Sequence, residues 1–411
     1  MFRTDGYRFR ADFEPHDAMW IAWPNYFDGF VGTNAVDQTK VTMDMAKALT
    51  PFTKVKVTVD PASENDIRKT MTAYGIDMTR VELVPILYDD IPIRDWGPYY
   101  ITNGVQKKIV HLPFTYWGYS YDGYQDGIEQ IIDDDFPVRV ARLENLDMVN
   151  ALVAGEGGDR TFDGQGTMMA ILPTELQRNQ SLTQQQMETE YKQIFGISNI
   201  VWLKYPIVED SVSYDGVLIG PDGVTKNAYS LGANHIDEVA QFAPNGTILL
   251  AEVTEAEAAT HPVLAKDRRR LEANYAILKN AKDQNGNKYN IIRMPCPPLT
   301  YWPLDADDAF YSWFESMTFL DGSTFSGEPA YMIAGSSYIN SIASNGVVLI
   351  PYYWHTGMPL SVKQKDDKAK QIYQSCYPGR QIAQIDAYAF NIMTGGGMHC
   401  MTQQEPAVRT T

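Results

Sequence analysis

Apolar and polar residues alternate strictly in "KVKVTVD" (54–60), the period of a strand with one covered face. Short apolar runs of strand length follow at "VELVPIL" (81–87), "KKIVHLPF" (107–114), "TMMAIL" (167–172), "NIVWL" (199–203), "GTILLAEV" (246–253), "NIIRMP" (290–295) and "GVVLIP" (346–351). Between them the spacing of apolar positions predicts helices at 36–50, 64–74, 124–134, 182–195, 263–282, 364–375 and 381–390. Strands alternating with helices predict an α/β fold. No strand is followed by GxGxxG or a phosphate-binding loop, so a nucleotide-binding sheet has no motif behind it. The strand–helix pattern recurs about five times at irregular spacing, which fits a closed set of similar units without proving it.

One segment departs from this rhythm. "PPLTYWPLDADDAFYSWFESMTFLDGSTFSGEP" (297–329) is rich in aromatics and acids and has little regular period. So many aromatics argue against disorder. An ordered cover over a site is the expectation, with a peripheral insertion as the alternative.

Composition narrows the classes. The 411 residues allow two or three ordinary domains or one large closed architecture, and no low-complexity linker divides them. No apolar run reaches the roughly 18 residues of a membrane span. The start, "MFRTDGYRFRADFEPH", has no apolar core of a secretory signal, so a cytoplasmic location is the default. Three cysteines suit neither a disulfide framework nor a zinc site, and Cys296 and Cys376 read as packing or turn residues. The net charge of −17, without a cluster of Lys and Arg, speaks against a nucleic-acid surface and permits a cationic ligand.

Four polar stretches carry chemistry. In "DDIPIRDWGPYY" (89–100), Asp95 follows an extended run and precedes a Gly–Pro turn, so it can project from a strand end or simply cap the turn. In "LGANHIDEVAQFAP" (231–244), His235 and Asp237 share a face only if the chain is extended or sharply bent there; a surface pair is the alternative. In "AGEGGDRTFDGQGTMMAILPTELQRN" (154–179), Glu156 and Glu175 are candidate buried acids, and "DGQGT" reads as a hairpin turn into a strand. In "MTGGGMHCMTQQEPA" (393–407), three glycines would let the backbone approach a ligand, with Cys400 beyond the turn. A thiol becomes nucleophilic where positive charge or a base favours the thiolate. Carboxylates nearby do the opposite, so such a site calls for a cation between them.

Taken together, "FEPHDAMWIAWP" (13–24), "IRDWGP" (93–98), "GEGGDRTFDGQGT" (155–167), "NHIDEVAQF" (234–242), "SSYINSIASNGVVLIP" (336–351) and "GGGMHCMTQQEP" (395–406) resemble the agmatine deiminases and bacterial-type peptidylarginine deiminases, within the guanidino-group modifying enzymes. The resemblance covers nearly the whole chain. It implies a single catalytic domain over 1–411, a pseudo-symmetric five-bladed α/β propeller (pentein) of ββαβ units, with 297–329 as an insertion. It implies Cys400 as nucleophile, His235 as acid and base, and Asp95 and Asp237 as guanidinium-binding carboxylates. Glu175, Asn340 and Trp96 are further expected contacts, with Glu175 also the expected acid that orients His235, and His399 is not the expected base. The implied reaction is hydrolysis of agmatine to N-carbamoylputrescine and ammonia, or of peptidyl arginine to citrulline, with no metal or organic cofactor. The implied partner is a small cationic guanidine or an arginine-containing peptide, with neither nucleic acid nor membrane involved. A homodimer is the assembly the resemblance suggests. Pro92 stands where relatives usually have Trp, and Asn234 where they have Gly, which leaves recognition of the substrate's tail open.

Overall fold

The computed structural model describes residues 6–24, 30–31, 34–35, 37–119 and 132–409. It has α/β architecture, and all eight expected strands form. "NIVWL", for example, is Asn199–Leu203 and "GVVLIP" is Val347–Tyr352. The helices at Gln38–Leu49, Glu64–Ala73, Gln184–Phe195, Pro262–Leu278 and Leu360–Cys376 match five of the expected segments. The expected helix at 124–134 falls mostly outside the described residues. No helix among the described residues is long and apolar enough to cross a membrane.

Local chemistry sets the element ends. Thr183 caps Gln184–Phe195 and exchanges a capping box with Gln186, while Gly196 ends the helix at φ 62°. Asp163 accepts the backbone N–H groups of Gln165, Gly166 and Thr167, closing the expected "DGQGT" hairpin between Arg160–Phe162 and Thr167–Ile171.

The expected helix at 381–390 is a correction. Gln381–Asp386 is a strand, and only Tyr388–Met393 is helical. The spacing of Ile382 and Ile385 suits a helix, but Val347–Tyr352 has an open edge. Gln381–Asp386 pairs along it in parallel, from Val347↔Gln381 to Tyr352↔Asp386. Tertiary pairing outweighs local period here.

Among the described residues, five sheets share one order. A short first strand runs antiparallel to a central strand, which pairs in parallel with a third strand reached through a helical connection. The first strands are Tyr99–Thr102, Arg160–Phe162, Ala240–Ala243, Ile342–Ala343 and Thr402–Pro406. The last belongs to the N-terminal sheet: Thr402 lies opposite Ile21 and Pro406 opposite His16, so the two ends of the chain share one sheet. Central strands such as "VVLI" (347–350) are wholly buried, as expected for parallel strands covered on both faces.

A further sheet orders Leu218–Ile219, Lys226–Ser230, Ala330–Ile333 and Tyr301–Leu304. The aromatic segment (297–329) supplies the strand Tyr301–Leu304 and the helix Ala309–Ser316, and Ala330–Ile333 follows it directly.

Candidate active site

The residues just ahead of the five first strands meet one another through a closed series of hydrogen bonds. The Arg94 N–H donates to the Cys400 carbonyl (2.9 Å). The Gly158 N–H donates to Asp95 Oδ1 (3.0 Å). His235 Nε2 lies 3.2 Å from Glu156 Oε2. Asn340 Nδ2 donates to Glu238 Oε1 (2.7 Å), and Asn340 Oδ1 accepts the His399 N–H (2.7 Å), which returns the series to its start. These contacts surround a cavity of about 330 Å³ lined by Asp95, His235, Asp237 and Cys400.

Each position has a local cause. Asp95 stands on a helical turn, Ile93–Trp96, rather than at the strand end expected from sequence. The Gly97 N–H closes that turn on the Ile93 carbonyl, and a Cβ on Gly97 would come within 2.2 Å of that oxygen. His235 and Asp237 share the cavity because the chain bends sharply into a short 3₁₀ turn, Ile236–Glu238. Asn234 precedes it at φ 61°, the left-handed region where glycine and asparagine are at ease. Asn234 therefore meets a backbone requirement that glycine would also meet.

The glycines serve close packing as much as ligand approach. A Cβ on Gly158 would meet His235 Nδ1 at 2.1 Å, one on Gly396 would meet Cys400 Sγ at 2.8 Å, and one on Gly397 would meet Asn340 Oδ1 at 2.5 Å.

Three expected substrate contacts do not line the cavity. Trp96 follows Asp95 around the helical turn and faces the core instead, stacked on Tyr88 (5.9 Å between ring centroids) and edge-on to Phe136 (4.9 Å). Glu175 is buried in an ion pair with Arg160 (2.6 Å) and accepts the Tyr191 hydroxyl. Asn340 contacts the thiol, Nδ2 to Sγ at 3.1 Å, and so holds the cysteine rather than facing the cavity.

Two residues not singled out for these roles take them. Trp117 donates its indole N–H to Asp95 Oδ2 (2.9 Å). Glu156, tied to Arg178 at 2.8 Å, is the acid that holds His235. The signal for Glu156 was the pair of glycines after it. Trp117 had none, since an indole in "FTYWG" reads equally well as core.

Electrostatics follow from this crowding of acids. Burial pushes Asp95 up to about 6, with Glu156 and Asp237 adding to the rise. Burial likewise lifts Asp90 and Asp210 to about 7. Glu156 goes the other way, down to about 2: burial opposes its charge, but Arg178 and His235 outweigh it. Burial disfavours the imidazolium of His235, yet Asp95 and Glu156 hold its pKa well above the ordinary range. Burial, then Asp237, Glu238 and Asp95, push the Cys400 thiol up. Asp237 Oδ2 is 3.5 Å from Sγ, and its Oδ1 is buried without a protein partner. These neighbours favour the thiol form of Cys400 and the imidazolium form of His235, with Asp237 Oδ1 beside them.

Among the described residues, Glu156–Asp159–His235 and Asp237–Glu238–Cys400 place donor atoms close enough for an ion. Arg178 already occupies the first group, and Asn340 and His399 donate into the second.

The rest of the wall is aromatic. Tyr116, Trp117 and Tyr119 line the cavity together with Phe310 and Trp313 of the aromatic segment and with Asp90, the Tyr119 and Trp313 ring centroids lying 5.9 Å apart. The segment thus contributes to the covering of the site. No lysine or arginine lines the cavity among the described residues.

Comparison with known proteins places the chain among deiminases in sequence and fold. Agmatine deiminase of Stutzerimonas stutzeri is 27% identical over 98% of this chain and 97% of its own length. The agmatine deiminase of Medicago truncatula is 25% identical over the same shares. The solved agmatine deiminase of Enterococcus faecalis superposes with a TM-score of 0.73 at 22% identity, over 98% of this chain and 97% of the other, a likeness of fold. The model of the Porphyromonas-type peptidyl-arginine deiminases matches residues 8–406, and the chain belongs to that family.

Proposed function

We propose that this protein hydrolyses the guanidino group of agmatine, giving N-carbamoylputrescine and ammonia through a covalent intermediate on Cys400. The observation that carries this reading is the meeting of the Cys400 thiol, the His235 imidazole and two carboxylates in one cavity with no lysine or arginine in its lining among the described residues. The relatives named agmatine deiminase support it. The ring of contacts among the five first-strand segments supports a five-bladed propeller arrangement around the site.

The guanidinium enters between Asp95 and Asp237, each accepting its N–H groups in charge-assisted hydrogen bonds. At 4 Å and an effective dielectric near 20, each pair gains about 4 kcal/mol before desolvation. The same cation offsets the carboxylates that hold the thiol protonated, so binding favours the thiolate, the thiol proton passing to solvent and being taken up again when the thiol is released. Sγ attacks the guanidinium carbon, and His235 gives its proton to the departing ammonia, leaving an S-alkylthiouronium. Water then attacks the same carbon with His235 as base; the C–S bond breaks, and the ureido product and thiol are released.

The tail is read from the wall. Free arginine would bring an α-carboxylate into a cavity with five lining acids and, among the described residues, no lysine or arginine to receive it. A butyl chain ending in an ammonium suits the aromatic faces of Trp117, Phe310 and Trp313, with Asp90 near enough to the lining to receive the charge. Ammonia release from agmatine, free arginine and a peptidyl arginine tests this directly. Agmatine is expected to be turned over best; preference for the peptide would overturn the tail assignment. Cys400→Ala is expected to abolish release while retaining agmatine binding.

A further inference from the structure

His399 stands next to the nucleophile and has no role in the steps above. Its two ring nitrogens both face carboxylates: Nδ1 lies 2.7 Å from Asp237 Oδ2, and Nε2 lies 2.9 Å from Asp12 Oδ2. The ring is 2% exposed, so water does not substitute for either partner. A neutral imidazole has one N–H, and it would set a lone pair against a carboxylate lone pair at the other nitrogen. Both short contacts are satisfied at once by an imidazolium.

Asp12 is itself fixed. Its Oδ1 accepts Gln404 Nε2 (2.6 Å), its Oδ2 also receives Gln241 Nε2 (3.3 Å), and Arg94 Nη1 lies 3.9 Å from Oδ1. Arg94 in turn donates to the His399 carbonyl (3.2 Å) and to Gln404 (2.6 Å). The assembly spans the N-terminal loop, the turn before the second sheet and the C-terminal strand.

We infer that His399 is a positioning residue. Held as an imidazolium between Asp12 and Asp237, it keeps Asp237 ionised and turns it so that Oδ1 alone is presented to the guanidinium. The inference rests on the deiminase reading for its consequence and on geometry for the relay itself.

The surroundings give the relay its purpose. Asp95, Asp210 and Glu238 crowd the same site, and burial favours the protonated form of each. A neutral Asp237 would bind a guanidinium poorly. Of the acids that line the cavity, Asp237 is the one held below the ordinary carboxylate range against the effect of burial, by His399 first and then by His235 and Arg94. The charged and titratable groups that face His399 are Asp12 and Asp237, which favour its second proton, and Arg94, which opposes it along with burial.

Two variants and one spectrum test the relay. His399→Gln can donate to only one of the two carboxylates. It is expected to raise KM for agmatine about tenfold or more and to move the acid limb of kcat/KM to higher pH, because Asp237 then takes up a proton sooner. Asp12→Asn is expected to move the alkaline limb to lower pH, since the imidazolium loses the partner that stabilises it. A fall in kcat with unchanged KM and unmoved limbs in both variants would overturn the positioning role. Independently of turnover, the 15N-histidine spectrum of the full chain at pH 8 is expected to show both His399 nitrogens protonated, the signal being assigned by its loss in His399→Gln. A neutral ring there overturns the relay. Failure of the unmodified protein to release ammonia from agmatine counts against the deiminase reading instead, and the spectrum still decides the relay.

Discussion

Two buried arginine–glutamate pairs lie side by side on the helix Leu172–Arg178 and its neighbours, and they do different things. Glu156 pairs with Arg178 at 2.8 Å and Glu175 with Arg160 at 2.6 Å, all four side chains at 0–1% exposure. Glu156 has a second cationic partner in His235, and its pKa falls to about 2. Glu175 has Tyr191 instead, and its pKa rises: burial is the largest influence, and Arg160 does not fully offset it. One cation thus fails to compensate a carboxylate's burial where two succeed. The third partner, not the ion pair, separates a group poised for catalysis from one that holds the fold.

Breaking each pair should expose that difference. Glu156→Gln removes the charge that holds His235 as an imidazolium, and kcat is expected to fall by about 10²- to 10⁴-fold, the range general acid–base groups contribute. The steady-state rate of ammonia release at pH 7 measures this, with circular dichroism to check that the variant is folded. Glu175→Gln leaves Arg160 buried without its anion. Stability should drop by about 3–5 kcal/mol in urea unfolding, while the folded fraction keeps nearly normal kcat. An equal loss of kcat in both would erase the distinction.

The aromatic side of the site gives a smaller effect. Trp117→Phe removes an N–H donated to Asp95 but keeps the ring face. It is expected to raise KM for agmatine by about 10- to 150-fold, in line with a charge-assisted hydrogen bond of roughly 1.5–3 kcal/mol. Trp313→Ala on the aromatic segment should raise KM for agmatine while leaving that for methylguanidine, which has no butyl tail, unchanged.

The smallest effects are in the pH dependence of stability. The folded pKa of Glu156, about 2, is below its unfolded value of 4.5, so its contribution is present above pH 4.5 and lost as pH falls through about 2. Glu156→Gln should flatten the stability curve across that window; Glu175→Gln should not. Asp95 has the opposite sign. Raised from 3.8 to about 6, it destabilises the fold as pH climbs through that interval, and Asp95→Asn should recover the loss. Equilibrium urea unfolding at a series of pH values reads both.

Much of this molecule was open to reading along the chain. The apolar patterns named all eight strands because neither kind needs knowledge of neighbours: Val347–Ile350 is a run of consecutive buried apolar residues, while Val55 and Val57 alternate with Lys54 and Lys56. His235, Asp237, Asp95 and Cys400 were legible because short motifs surround them with turn residues, and all four line the cavity. The strand Gln381–Asp386 was not legible, since its form depends on an edge offered by Val347–Tyr352. Trp96 and Trp117 could not be told apart either: one step around a helical turn sends the first into the core, while the backbone of the second enters the left-handed region at φ 53° and brings its indole to Asp95.

The sequence by itself determined the α/β alternation, the turn chemistry and the inventory of reactive groups, because these depend on residues close together in the chain. Only the tertiary structure decided which acid serves which cation. Glu156 and His235 are 79 residues apart, and Asp12 and His399 are 387 apart. Their charges are set by burial and by neighbours at 3–4 Å, quantities that exist only once the chain has closed on itself.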